Sequence, residues 1–88
     1  MSGHSRVLRR RPPRVVLHGR DFMRYAHGER AAFIYAELQV GSNVDRVVHL
    51  SQLATWEAPR DVPVMEADRM EIQRAIQDEF PRLRIEWA

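Results

Sequence analysis

A change of hydrophobic period near residue 65 constrains this chain more than any other feature. Upstream, apolar residues recur at every second position in short runs, whereas from Met65 to Phe80 they recur every three or four. A period of two belongs to a strand with one buried face, and a period near 3.6 to an amphipathic helix. No single element satisfies both, so a strand-rich half is followed by a helix.

The strand half reads as a meander. "RVVLH" (14–18) is a short β-rich run closed by a turn at Gly19. "DFMRYA" places Met23 and Tyr25 on one side, with Phe22 and Arg24 on the other, and "HGE" (27–29) is a glycine-centred turn of hairpin length. "RAAFIYAELQV" is the clearest strand: Ala32, Ile34, Ala36, Leu38 and Val40 face one way, and Phe33, Tyr35, Glu37 and Gln39 the other. "GSN" (41–43) turns the chain into "VDRVVHL", where Val44, Val48 and Leu50 fall two or four apart. Short loops in succession imply antiparallel neighbours, because a parallel pair needs a crossover of about a dozen residues.

Ser51 then reads as the cap of one helical turn, "SQLATW", with Leu53 and Trp56 on one face, and "EAPRDVP" reads as loop. Along the helix Met65, Arg69, Ile72, Ala75, Ile76 and Phe80 form one stripe, opposite Met70, Glu71, Arg74, Gln77 and Asp78. Glu66, Asp68 and Glu71 suit the positive end of the helix dipole; Asp68 with Glu71 reads as a capping box, and Pro81 as the stop. "RLRIEWA" alternates again, with Leu83, Ile85 and Trp87 inward and Arg82, Arg84 and Glu86 outward. One apolar stripe on one helix must be covered by one sheet face. The expected fold is therefore a two-layer α+β domain over residues 14–88. It comprises an antiparallel β-meander of about four strands, one long α-helix, and a C-terminal strand in the same sheet. Residues 1–13, "MSGHSRVLRRRPP", have no such period and read as a flexible Arg/Pro-rich leader.

Composition narrows the chemistry. The chain has 88 residues and no cysteine, so it is one small domain without disulfides or thiolate metal sites. No apolar run approaches the ~18 residues of a membrane span, nor is there a signal-peptide stretch, so a cytoplasmic protein is expected. All fourteen basic residues are arginine, which removes lysine Schiff bases and P-loop phosphate binding. Residues 1–20 hold six arginines and no acid, while residues 21–88 hold eight arginines against twelve acids. A basic arm thus precedes a mildly acidic body.

No catalytic, cofactor-binding or metal-ligating residue is nominated. His4, His18, His27 and His49 lack ligand spacing, although His18 and His49 can meet across strands. Ser2, Ser5, Ser42 and Ser51 lack a nucleophile context, and the glycines are scattered turn residues. The expectation is a protein without enzymatic activity and without a cofactor.

Trp56 admits two readings: a plug where the helix overhangs the sheet, or an exposed anchor for a partner. The segment around it also carries a resemblance. "SQLATWEAP", then "EADRMEIQRAI", then "LRIEW" is similar to the Imm74 immunity proteins of bacterial polymorphic toxin systems, over roughly residues 15–88. Leu53, Trp56, Glu57 and Pro59 carry the match, with Arg69, Ile72 and Ile76 on the helix and Ile85 on the last strand. The resemblance implies a protein that binds and inhibits a cognate toxin and needs no chemistry of its own. An acidic body suits a basic target through electrostatic steering. The candidate contact residues are Trp56, Glu57, Arg60 and Asp61 on the loop, or Phe33, Tyr35 and Glu37 on the outward sheet face. The rival expectation is a nucleic-acid-binding accessory protein using Arg6, Arg9, Arg10, Arg11 and Arg14 as an arm. Self-association through an exposed edge strand is a third; the sequence leaves the oligomeric state open.

Overall fold

The computed structural model describes residues 12–88, so the leader's residues 1–11 lie outside the description that follows. Five strands form one sheet: β1 (Arg14–His18), β2 (Phe22–His27), β3 (Arg30–Leu38), β4 (Arg46–Val48) and β5 (Ile85–Trp87). They lie in chain order across it. β1 to β4 are antiparallel neighbours, as the short turns require. Gly19 and Gly28 sit at φ 68° and φ 62° in the two hairpin turns, a left-handed conformation that glycine adopts without steric cost. β5 joins β4 in parallel after the helix α1 (Glu66–Glu79) has carried the chain back over the sheet.

The alternation places side chains as the sequence implies. Met23 pairs with Ile34 and Tyr25 with Ala32, while Ala36 pairs with Val48, all on the inner face. These side chains and Val15 are buried against Ile72, Ala75 and Ile76 of α1. Ala32 and Ala36 are fully buried, the small residues that let a helix approach a sheet closely. Arg46 takes the inner position two before Val48. Its Nη1 donates to the carbonyls of Ala36 (2.8 Å) and Arg20 (2.7 Å), which satisfies a guanidinium that is otherwise enclosed.

Two local expectations change. The turn after β4 is a 3-10 helix over Leu50–Gln52, with Ser51 inside it and Leu53 already extended (φ −81°, ψ 98°). Leu53 and Trp56 therefore share no helical face. Helix α1 begins one turn earlier than a cap at Asp68 requires. Asp68 is its third residue, and its Oδ2 accepts from the Met65 backbone N–H at 2.8 Å. Asp68 thus supplies the reach-back half of a capping box, and Glu71 has no part in it.

Candidate functional site

The segment around Trp56 is built by backbone. Trp56 N–H donates to Val62 O and Val64 N–H to Ala54 O, both at 2.9 Å, so residues 54–64 close into a narrow loop. Ala31 N–H donates to Ala58 O (2.8 Å), and Glu57 N–H donates to Ala31 O (2.9 Å). The loop thereby occupies the place beside β3 that β4, only three residues long, leaves empty. Asp61 turns it at φ 68°, where aspartate is among the few residues tolerated besides glycine.

Trp56 points inward and is 3% exposed. Its ring lies 6.0 Å from Tyr25, and the Arg30 guanidinium sits 5.1 Å from the ring centroid on a cation–π contact. Arg30 is itself held by Asp68 at 2.9 Å. The indole Nε1 is buried without a partner among the described residues. Trp56 is thus the plug, and its ring is not an exposed anchor. Glu57, Arg60 and Asp61 remain on the surface around it.

Of the resemblance residues, Leu53, Glu57, Pro59 and Arg69 lie near Trp56, whereas Ile85 pairs with Arg46 at the other end of the sheet. Arg69 donates from Nε to Leu50 O (3.1 Å) and from Nη2 to Leu53 O (2.7 Å), tying α1 to the segment before Trp56. Ile72 and Ile76 are fully buried beneath the helix, and Ile85 packs half-buried on β5. Their positions are explained by packing.

The outward sheet face is different. Register sets Phe22 opposite Tyr35, Arg24 opposite Phe33 and Glu37 opposite Val47. His18 meets Phe33 edge to face at 4.8 Å, Phe22 lies 5.5 Å from Tyr35, and Tyr35 stacks on His49 at 4.8 Å. Arg24 reaches over Phe33 (5.7 Å) and its Nη2 lies 3.7 Å from Glu57 Oε1, which ties the loop to this face. His49 is bracketed by Glu37 Oε1 and Gln52 Nε2, each 3.4 Å from a ring nitrogen. Loss of solvation, and then the charges of Glu37 and Asp21, raise the Tyr35 hydroxyl above its ordinary pKa, so it remains a neutral donor. Phe22 and Val16 are 42% and 45% exposed, Phe33 and Tyr35 are half-buried, and Gln52 and Leu53 border the face at its edge, with no strand or helix layered on it among the described residues.

Phe33, Tyr35 and Glu37 are thus brought together, with Glu57 at the margin. Arg60 and Asp61 sit away in the loop turn. His18 and His49 share the face but engage different rings, and no group of three or more metal-binding side chains occurs among the described residues. Arg14 opens β1 on the same face; Arg6, Arg9, Arg10 and Arg11 lie outside the described residues. Phe22, Arg24 and Val16 were not nominated as site residues. Their outward parity was readable, but their proximity to Phe33 and Tyr35 follows only from the hairpin register.

Comparison of the chain with known protein families, curated proteins and solved structures returns no match.

Proposed function

We propose that this chain is a binding protein of the immunity class, which neutralises a cognate polymorphic toxin domain by docking on the outer face of its sheet. One observation carries the reading: a row of rings from β1, β2 and β3, interleaved with Arg24 and Glu37, lies on the sheet face opposite α1, with no strand or helix layered on it among the described residues. Aromatic and arginine side chains are the types that dominate binding energy when a partner excludes water from them. The Imm74 resemblance supplies the class of partner, and docking alone is sufficient for such a role. The buried Trp56 ring moves the contact from the loop to the sheet, with Glu57 at its rim.

The reading predicts a toxin gene directly beside this one, and the experiment is co-expression with that toxin in a growth-rescue assay. Rescue and co-purification are expected from the parent chain, and loss of both from Phe22→Ala/Tyr35→Ala, with the variant's circular dichroism unchanged. No rescue by the parent chain, or rescue untouched by the variant, rejects the reading.

A second reading is favoured by the position of Arg14. Arg14, the one arm residue among the described ones, lies on the face that holds Arg24, Phe22 and Phe33, a mixture of cations and rings that suits single-stranded nucleic acid. A gel shift with single-stranded RNA tests it: a salt-sensitive shift that depends on residues 1–13 supports it, and no shift removes it.

A further inference from the structure

An α-helix with its side chains is about 10 Å wide, whereas five strands ~4.8 Å apart span about 19 Å. Helix α1 therefore cannot roof the whole inner face. On β1, Val15 is buried against the helix, whereas Leu17, on the same inner side, is 47% exposed. Beside the helix on the β1 side runs a groove of about 600 Å³. Pro13 and Tyr25 form its floor, and Met70, Glu71, Arg74 and Asp78 form its helical wall.

Tyr25 makes this groove a built site. It is 2% exposed and lines the groove; its hydroxyl makes no hydrogen bond among the described residues and, unlike Trp56 Nε1, is not fully enclosed. Burial, followed by the charges of Glu71 and Asp68, raises its pKa, so the phenol stays neutral in a negative field. Glu71 and Asp78 stand seven residues apart on the wall with Arg74 between them, two carboxylates to one guanidinium. Asp68 is already held by Arg30. Met70, 65% exposed, and Pro13 offer apolar surface for an aliphatic stem. β1 is the first strand of the sheet, so its outer backbone edge pairs with no strand among the described residues and can accept another strand.

We infer that this groove docks an extended, arginine-bearing segment of a partner protein, its guanidinium meeting Glu71 and the Tyr25 hydroxyl and its backbone running along β1. The site lies on the opposite side of the sheet from the aromatic face, so it stands or falls independently of the reading given above. An acidic segment would find two like charges for its one cation at Arg74.

The test is fluorescence anisotropy on the full chain with a labelled seven-residue peptide alternating valine and arginine, against its valine–glutamate counterpart. Saturable binding of the arginine peptide is expected, weakened roughly tenfold by Glu71→Gln/Asp78→Asn. Tyr25→Phe, which keeps the ring, should weaken it too, while Phe22→Ala on the other face should leave it unchanged. Equal binding of the glutamate peptide, or indifference to Glu71→Gln/Asp78→Asn, overturns the inference. So does binding that emerges only after residues 1–11 are removed, which would make the groove a seat for the chain's own arginines. Concentration-dependent dimerisation without peptide binding overturns it as well, by assigning the β1 edge to a second copy.

Discussion

Trp56 is held by shape and by its π-face, because Tyr25 and Arg30 contact the ring while Nε1 bonds nothing described. Replacing it with phenylalanine removes volume and an unpaired N–H together. Trp56→Phe should therefore cost far less than Trp56→Ala, for which about 3–5 kcal/mol is expected. Urea denaturation of both variants checks this, and equal losses would mean that the indole nitrogen carries stability after all. Asp45 is the residue with a pH signature. Side-chain bonds from Arg84 (Nη2, 3.0 Å), and then its backbone N–H (2.8 Å), hold the carboxyl below its ordinary pKa. A depressed folded pKa adds stability that is present above the unfolded value, ~3.9, and is lost as pH falls through the lower folded one. Asp45→Asn should thus lower the urea midpoint at pH 7 and flatten its decline below about pH 4. A parallel decline in both proteins would contradict that. Trp56 was legible as a dilemma because composition shows a large ring near two prolines, whereas its solution depends on Tyr25 and Arg30, about thirty residues away. Arg46 shows the converse: it falls two before Val48 in the alternation, a charged residue at an inner place, and two backbone carbonyls satisfy it there.

At the scale of elements, legibility follows the length of the period. β3 and α1 repeat their pattern often enough that a one-residue error would expose a whole face, so both lie where the alternation and the stripe put them, except that β3 stops at Leu38 and Val40, read as inward, is 82% exposed beyond it. The 3-10 turn at Leu50–Gln52 is too short to have a period, and its geometry is set by Arg69 taking the carbonyls of Leu50 and Leu53. The helix begins where the stripe does, but the capping pair differs from Asp68 with Glu71, because acids cluster there and any of them can cap; tertiary contact selects one. Asp68 bonds Met65 N–H and Arg30 together, and Arg30 in turn covers Trp56. Asp68→Ala should accordingly cost more than an isolated cap, about 1–2 kcal/mol. In Arg30→Ala, where only the backbone bond remains to lose, the same change should cost less. A double-mutant cycle in chemical denaturation measures the difference, and strict additivity would show that cap and ion pair are uncoupled.

For the whole molecule, the sequence conveyed the number of layers and the order of elements. It did not convey which edges stay open. Those follow from the arithmetic of one helix over five strands and from the return of β5 to β4. That return is the fold's most non-local commitment: β5 pairs in parallel with a strand that lies on the far side of α1 in the chain. Its hold is more than the ladder. Ala88 N–H donates to Val48 O at 2.8 Å, Ser51 N–H donates to Ala88 O at 3.1 Å, and Ile85 and Trp87 pack half-buried against the core. Two half-buried apolar side chains contribute at least about 2 kcal/mol. In a domain this small that corresponds to roughly 8–16 °C in Tm. Removing residues 85–88 should lower Tm by at least that much in a calorimetric scan, while unfolding remains a single transition, because α1 would lose part of its floor together with β4's neighbour. A truncated chain that keeps its Tm would show that β5 only decorates the edge of a four-stranded meander. A truncated chain that melts in two steps would show that the hairpins β1–β2–β3 hold without the helix.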